Sequence, residues 1–205
     1  IVILDYGMGN TASILNMIKH IGGEAVISYD KNAIDSAKAL ILPGVGSFDN
    51  AMERIIQNDL LVPLRRRIVN EGVPLLGICL GMQLLFEKSE EGKLEGLGLI
   101  PGEVKRFSFH DDTNIRLKIP HMGWNVVNPV NNDPVFESNE EELRFYFVHS
   151  YHAVCEDKYI SAITNYGYDF PCAVRRGHIF GVQFHPEKSH RFGMRFFENF
   201  IRFIC

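Results

Sequence analysis

Short apolar runs alternate with amphipathic stretches over the first part of the chain. Each apolar run is unbroken, as expected for a strand that helices cover on both faces. The four runs are residues 1–4, 25–27, 39–42 and 73–76. Between them, residues 11–21 and 48–57 have helical spacing of apolar positions, and Asp59 is placed to cap a further helix with Ile68 and Val69 facing inward. This alternation predicts the α/β class, with a doubly wound, mostly parallel central sheet flanked by helices.

The second half of the chain has a different pattern. Residues 87–98 are charged and contain glycine, which predicts a loop. Beyond them, short apolar stretches separated by turn residues predict an antiparallel, strand-rich second half. These strands are predicted at residues 104–109, 115–119, 126–127, 145–148, 160–164, 173–174 and 179–184. Residues 110–114 have the composition of a polar hairpin tip, and residues 189–204 that of a closing helix.

The stretch Gly77-Ile78-Cys79-Leu80-Gly81 stands between a predicted strand and apolar residues at helical spacing. G-x-C-x-G is the cysteine form of the G-x-S-x-G nucleophile elbow. Such an elbow lifts the nucleophile on a strained turn, where neighbouring side chains would clash and glycine is therefore required. Free N–H groups at the start of the helix would favour the thiolate of Cys79. A buried, inert cysteine explains these five residues equally well when they are taken alone.

A nucleophilic cysteine requires a base, and the base requires a group that orients it. His185 follows an apolar run that predicts a strand, so it falls at the same sheet edge as Cys79. Residues two apart in an extended segment point to the same side, which would let Glu187 hold the His185 ring. A surface turn is an alternative interpretation of His-Pro-Glu alone. Its combination with the elbow favours a catalytic triad.

Acyl transfer also requires N–H donors for the oxyanion of its tetrahedral intermediate. The N–H group of Leu80, directly after the nucleophile, is one expected donor. The turn at residues 43–46, Pro-Gly-Val-Gly, ends another predicted strand, and its glycines could let a backbone N–H approach a substrate oxygen. A turn of this composition is weak evidence by itself.

Composition restricts the class of protein. The 205 residues, 46% hydrophobic and 22% charged, fit one domain with a substantial core. The net charge of −4 provides no basic surface for nucleic acid, and no apolar run reaches membrane-spanning length. The four cysteines are scattered and form neither a disulfide framework nor a C-x-x-C metal site. We therefore expect no bound metal and a reducing, cytoplasmic location.

The elbow, with Met82 and Gln83 after it, and the distant His-Pro-Glu resemble the class I (triad) glutamine amidotransferases. Further stretches resemble one branch of that family, the glutaminase subunits of imidazole glycerol phosphate synthase. These stretches are residues 5–10, 43–48, 120–125 and 147–151. The resemblance covers nearly the whole chain. We therefore expect residues 1–205 to form a single glutamine amidotransferase type 1 domain that uses no cofactor.

The resemblance implies a role for each residue of the site. Cys79 would attack the side-chain amide carbon of L-glutamine and form a glutamyl thioester. His185 would pass the proton to the departing ammonia and then activate water, while Glu187 orients it. In this family the turn at residues 44–45 rearranges so that the N–H of Val45 joins that of Leu80 as oxyanion donor. The positions that match glutamine-binding residues are Gly46, Gln83, Glu91, His149, Ser150 and Tyr151.

The resemblance also implies a partner, a (β/α)8-barrel cyclase/synthase subunit bound as a heterodimer. Ammonia would pass into it, shielded from water, and help convert the ribulosyl phosphate precursor PRFAR to imidazole glycerol phosphate and AICAR in histidine biosynthesis. Large side chains near the predicted site loops also favour a docking surface, although a place in the core explains Tyr146 at least as well. The candidate interface residues are Pro120, Met122, Trp124, Asn125, Tyr146 and Lys188. We expect Lys188 to be exposed and unpaired in the isolated chain.

Three other interpretations stay open. Some bacteria carry a second copy of this glutaminase that supplies ammonia for amidation of surface-polysaccharide sugars, and the extra polar hairpin at residues 110–114 leaves that role possible. An α/β-hydrolase with a cysteine elbow would act on esters or lactones, but its usual order of nucleophile, acid and histidine differs from the order here. A non-catalytic regulatory subunit would require a vestigial triad, whereas every expected triad residue is present.

Overall fold

Twelve strands and six α-helices occupy the part of the chain that the computed structural model describes, residues 1–109, 117–139 and 142–204. The strands are β1 (Val2–Leu4), β2 (Val26–Ser28), β3 (Leu40–Leu42), β4 (Leu75–Ile78), β5 (Lys88–Ser89), β6 (Glu103–Arg106), β7 (His121–Pro129), β8 (Leu143–His149), β9 (Tyr151–Val154), β10 (Ile160–Asn165), β11 (Asp169–Arg176) and β12 (Ile179–Val182). The helices are α1 (Thr11–His20), α2 (Lys31–Ser36), α3 (Phe48–Gln57), α4 (Leu61–Arg65), α5 (Leu80–Gln83) and α6 (His190–Ile204).

Nine of these strands form one sheet, in the order β2-β1-β3-β4-β12-β11-β10-β7-β8. Neighbours from β2 to β12 run parallel, and neighbours from β12 to β8 run antiparallel. The remaining three form a small sheet in the order β5-β6-β9. The predicted fold class, a mostly parallel sheet followed by an antiparallel half, is confirmed.

Alternate residues of the parallel strands pack into two different hydrophobic clusters. In β1, Val2 and Leu4 join one cluster and Ile3 joins the other. The first cluster includes buried residues of α2, α3 and α4, and the second includes those of α1 and α6. Since successive side chains of a strand point to opposite faces, helices cover both faces of the sheet. This double cover explains why the parallel strands are unbroken apolar runs.

Several boundaries depend on tertiary contacts and differ from the prediction. Asp59 does not cap a helix; it has a φ of 53°, and α4 begins at Leu61 with Leu60 as its N-cap. Val69 is 60% exposed rather than inward, because the helical turns from residue 66 to 70 are wound as a π-helix and shift its direction. Strand β7 is much longer than the predicted residues 126–127, since pairing with β8 over residues 121–127 supports its polar and glycine positions. The short helix α2 and strand β9 have no counterpart in the prediction.

The closing helix confirms the prediction more closely. It begins at His190, one residue after the predicted Ser189, and buries Phe196, Phe197 and Phe200. The predicted hairpin tip at residues 110–114, and the first part of the strand predicted at 115–119, lie outside the described residues. Within the described residues, no helix has both the length and the apolar character that crossing a bilayer requires.

The first prediction concerns the contact between the elbow and β3. A Cβ atom on Gly81 would lie 1.8 Å from the carbonyl oxygen of Leu42, a backbone atom that cannot move aside. We expect Gly81→Ala to lower the free energy of unfolding by roughly 3 kcal/mol, as overpacking does. Urea unfolding measures this loss. Gly22→Ala is the control, because Gly22 has a φ of 78° but open space around it, and its cost should be only about 1 kcal/mol. Equal losses in the two variants would contradict the prediction.

Candidate active site

Three neighbouring strands end at one edge of the sheet and position the predicted site there. Strands β3, β4 and β12 are parallel neighbours, so their carboxyl ends meet. The turn at residues 43–46 follows β3, Cys79 follows β4, and His185 lies three residues beyond β12. In open α/β sheets, ligands bind outside this edge. A cavity of about 300 Å³ lies here; its lining is Val45, Gly46, Cys79, Leu80, Gln83, Glu91, Pro120, Val148, His149, Ser150, Tyr151 and His185.

Cys79 has the strained backbone of a nucleophile elbow. Its φ of 54° and ψ of −110° lie outside the regions that non-glycine residues favour. The crowding that requires glycine on either side is also present, since a Cβ on Gly77 would lie 2.5 Å from the carbonyl oxygen of Gly81. Cys79 is only 6% exposed, and its sulfur lies 3.9 Å from the carbonyl oxygen of Val148. The sulfur is therefore presented to the cavity and withheld from bulk solvent.

His185 and Glu187 form a buried pair next to this sulfur. The Nδ1 atom of His185 donates to Oε1 of Glu187 over 2.8 Å, and both side chains are only 2% exposed. Burial by itself would lower the pKa of His185, but the negative charges of Cys79 and Glu187 outweigh it and raise that pKa to about 10. The Nε2 atom is buried and makes no hydrogen bond of normal geometry to the described residues, so it is available to a reacting group. The triad residues predicted from the sequence are therefore brought together.

Backbone hydrogen bonds fix the segment that carries this histidine. Ser189 Oγ donates to the carbonyl oxygen of His185 over 2.6 Å and accepts from the N–H of Tyr146 over 3.0 Å. The N–H of His185 in turn donates to the carbonyl oxygen of Tyr146 over 2.9 Å. Strand β8 and Ser189 thus fix the backbone from which the ring of His185 projects. Sequence reasoning missed Ser189 in this role, because a serine at the start of a helix is normally a cap.

The turn at residues 43–46 reaches the cavity because it packs against the elbow. A Cβ on Gly44 would lie 2.9 Å from the N atom of Gly81. Tyr6 secures the turn from the other side, since its hydroxyl donates to the carbonyl oxygen of Pro43 over 2.6 Å. Burial and the nearby Cys79 raise the pKa of Tyr6, so its hydroxyl stays protonated and keeps donating. The sequence predicted no role for Tyr6. Its only signal was that Tyr6 lies in residues 5–10, one of the stretches that carry the family resemblance.

All six predicted glutamine-binding positions line the cavity, but three of the side chains, those of Gln83, Glu91 and His149, also form hydrogen bonds within the chain. Glu91 Oε2 accepts from the N–H of Phe48 over 2.9 Å, and so caps helix α3, whose own N-cap Ser47 makes no side-chain hydrogen bond. Burial is the main cause that raises the pKa of Glu91. The loop at residues 87–98 is thereby attached to the start of α3. Glu91 combines a structural role with its place in the lining.

His149 uses both ring nitrogens inside the protein. Its Nδ1 donates to the carbonyl oxygen of Tyr151 over 2.7 Å, so its Nε2 accepts from His121 Nδ1 over 2.9 Å. Burial lowers the pKa of His149 to about 3, and the ring is neutral. Only the ring carbons and the backbone of His149 are left to contact a ligand, which narrows the role predicted for it.

The comparisons with known proteins agree with this geometry. The family model for glutamine amidotransferase class-I matches residues 2–203. The chain belongs to this family. The glutamine amidotransferase is 50% identical to a protein of Methanococcus maripaludis over 98% of each chain, and 46% identical to one of Pseudomonas aeruginosa over the full length of both. Both are named imidazole glycerol phosphate synthase subunit HisH 2, and a Leptospira borgpetersenii protein named as subunit HisH is 45% identical over 97% of each chain.

Solved structures share the fold of this amidotransferase at low sequence identity. A crystal structure of glutamine amidotransferase is 20% identical, with a TM-score of 0.75 over 100% of this chain and 98% of that one. The glutaminase domain of Trypanosoma brucei CTPS with bound acivicin is 17% identical, with a TM-score of 0.64 over 98% and 93% of the two chains. These likenesses concern the fold alone.

The amidotransferase has an exposed apolar group beside the cavity, on β7 and the edge strand β8. Met122 and Trp124 are 62% and 42% exposed, and Trp124 stacks on the ring of His190 with centroids 5.6 Å apart. Lys188 is exposed, as predicted, and forms no ion pair with the described residues; its ammonium lies 5.8 Å from the ring centroid of half-buried Tyr146.

Asn125 does not join this exposed group. Asn125 is an odd number of residues from Met122 and Trp124 along β7, so its side chain points to the opposite face of the sheet. That side chain donates to the carbonyl oxygen of Asn165 over 2.8 Å. The same amide nitrogen lies 3.2 Å from Nε2 of His121. The side chain predicted to face a partner is thus occupied within its own chain.

The second prediction concerns the charge on His185. If Cys79 and Glu187 hold its pKa at about 10, the ring is an imidazolium throughout the neutral range and loses its proton only as the pH rises towards 10. We expect Cys79→Ala to lower this pKa by at least roughly one unit, because an attractive neighbouring charge is lost while burial stays. NMR titration of the ring nitrogens measures the change. His121 is the internal control, since burial alone lowers its pKa to about 4. An unchanged His185 titration in the variant would contradict the assigned cause.

Proposed function

We propose that this glutamine amidotransferase is the glutaminase subunit of an imidazole glycerol phosphate synthase and releases ammonia from L-glutamine for a partner subunit. The observation that carries the proposal is the elbow cysteine and the buried His185–Glu187 pair meeting at one cavity. The relatives support the assignment to the synthase, since they carry its subunit name and align over nearly their whole length. We also propose that residues 1–205 form one domain.

The first half-reaction is proposed to proceed through Cys79 and His185. The thiolate of Cys79 attacks the amide carbon of the glutamine side chain, and the C=O π electrons move onto oxygen. Leu80 and Val45 line the cavity, and their N–H groups are the proposed donors to that oxyanion. His185, as an imidazolium, then gives its proton to the leaving nitrogen, the C–N bond breaks, and a thioester remains on Cys79 with free ammonia.

The second half-reaction reverses the proton transfer. Neutral His185 removes a proton from water, and the resulting hydroxide attacks the thioester carbon and expels the Cys79 thiolate with release of glutamate. Glu187 keeps the Nδ1–H of His185 directed at its own carboxylate, so Nε2 is the atom that exchanges protons in both steps. Only 6% of Cys79 and 2% of the His185 side chain are exposed, which limits access of bulk water before glutamine binds.

The proposed partner is a (β/α)8-barrel cyclase/synthase subunit that docks over the cavity. Pro120 lines the cavity and lies two residues before Met122 on the strand that bears the exposed apolar group. Met122, Trp124 and Tyr146 provide the aromatic and methionine character typical of interface cores, with Lys188 beside them. A barrel seated there would close the cavity and receive ammonia without its loss to solvent.

The third prediction separates ammonia production from ammonia use. In the complex with the barrel subunit, Cys79→Ala should reduce glutamine-driven turnover of PRFAR at least roughly a thousandfold, because removal of a nucleophile abolishes the acyl-enzyme route. Turnover with added ammonium salt should stay at the wild-type level, since the barrel active site is intact. Both rates are measured from AICAR release.

A matched control and the pathway are tested together. Cys155→Ala removes another thiol, one that does not line the cavity, and should leave both rates unchanged. Loss of ammonium-driven turnover in Cys79→Ala would contradict a role limited to supplying ammonia.

Expression of the wild-type chain should restore growth of a histidine auxotroph that lacks its own glutaminase subunit but keeps the barrel. If the chain hydrolyses glutamine together with its own barrel subunit but does not restore growth, the result would contradict the histidine pathway and favour the polysaccharide role.

The fourth prediction concerns the docking face. Trp124→Ala should weaken binding of the barrel subunit roughly tenfold or more, because a large aromatic side chain is lost from the proposed interface core. Isothermal titration calorimetry measures the affinity. Val62→Ala is the control, since Val62 is the most exposed of the large apolar residues described and lies on α4, away from the cavity lining. Equal affinity of the Trp124 variant and the control would place the docking face elsewhere.

A further inference from the structure

A row of buried hydrogen bonds ends at the sulfur of Cys79. Gln83 Nε2 donates to the carbonyl oxygen of Tyr151 over 3.3 Å and to Oε1 of Gln183 over 3.0 Å. Gln183 Nε2 then lies 3.7 Å from Cys79 Sγ in donor geometry. Gln183 is fully buried, so its amide is shielded from solvent, and Gln83, which is 4% exposed, meets solvent only at the cavity that it lines.

The direction of this row follows from its first member. A backbone carbonyl can only accept, so the Gln83 amide must present its NH2 group to Tyr151. The second hydrogen of the same NH2 group is then donated to Gln183, which must accept it through its Oε1 oxygen. The remaining NH2 group of Gln183 is thereby directed at the sulfur. The orientation of each amide is determined by a backbone atom, and the outcome is an N–H donor aimed at Cys79.

The imidazolium of His185 favours the thiolate of Cys79, but other features around the sulfur oppose its charge. Burial favours the neutral thiol, and the carbonyl oxygen of Val148, 3.9 Å away, can accept from a thiol but not from a thiolate. Helix α5 has only four residues, so its N-terminus supplies little of the dipole of a full helix. An N–H donor favours the thiolate instead, because its hydrogen bond to a charged sulfur is stronger than one to a neutral thiol.

We propose that Gln183 is a positioning residue that stabilises the Cys79 thiolate through an N–H donor whose direction Gln83 and the Tyr151 carbonyl determine. The inference rests on the proposed function, since it explains how the nucleophile of that reaction stays charged. It also gives Gln83 a second role beside its place in the cavity lining. Gln183 itself does not line the cavity, so it acts on substrate through the sulfur.

The fifth prediction tests the charge on the sulfur directly. The rate of Cys79 alkylation by iodoacetamide is measured from pH 5 to pH 10 by peptide mass spectrometry, in the isolated full chain without glutamine. In Gln183→Met, which keeps the bulk and removes the donor, the midpoint for Cys79 should rise by roughly one pH unit, as expected for loss of a hydrogen bond to a charged group. Below the midpoint, alkylation should be roughly tenfold slower. Gln83→Met, one link further away, should shift it less.

Internal and stability controls separate this effect from a general disturbance. Cys155 is alkylated in the same samples, and its rate should be equal in wild type and variant because it is not part of the row. Thermal unfolding checks that each variant folds; if Gln183→Met does not, Gln183→Glu, which matches the amide in size, must give the upward shift instead. A folded donor-free variant with the wild-type Cys79 midpoint would overturn the proposal. Because alkylation requires no turnover, a chain that failed to hydrolyse glutamine would still report on Gln183.

Discussion

The approach of the elbow to strand β3 is the constraint on which the rest of the site depends. The Cα of Gly81 packs so closely on the carbonyl oxygen of Leu42 that even a methyl group would overlap it. That contact brings the end of β4 against the end of β3, and with it Cys79 against the turn at residues 43–46. A looser junction would separate the nucleophile from the backbone N–H of Val45 and open the cavity between them. Gly81 and Gly44, which pack against each other, thus determine the distance between parts of the chain that are about 35 residues apart.

Charge is confined to a small part of this edge. His185 is held as an imidazolium by the negative groups beside it, whereas burial lowers the pKa of His149, in the same cavity lining, to about 3. The positive charge of His185 further lowers the pKa of His149, so a second imidazolium is avoided. One positive ring then lies between the sulfur and the Glu187 carboxylate. This separation lets two buried histidines have different chemistry in one cavity.

Local patterns predicted the fold and the triad because each depends on a few neighbouring residues. The unbroken apolar runs identified β1, β3 and β4, and the spacing of apolar positions identified α3 with its observed bounds. What the patterns missed depends on partners distant in sequence. Strand β7 extends over nine residues because β8 and β10 pair with it, and the capping of α3 comes from Glu91, 43 residues away. The pattern of neighbouring residues does not show which distant residue will pair with them.

The family resemblance supplied the cavity-lining positions but not what their side chains do. His149, Glu91 and Gln83 all line the cavity, yet each has hydrogen bonds inside the chain that direct its polar atoms. The carbonyl oxygen of Tyr151 accepts from both His149 and Gln83, and so orients two rows of hydrogen bonds at once. One row runs through His121 to Asn125 in β7, the strand that also carries Met122 and Trp124, and the other ends at Cys79. One backbone oxygen therefore orients His149 and Gln83 in the lining, because each donor that it engages leaves the next group in the row only one orientation to adopt.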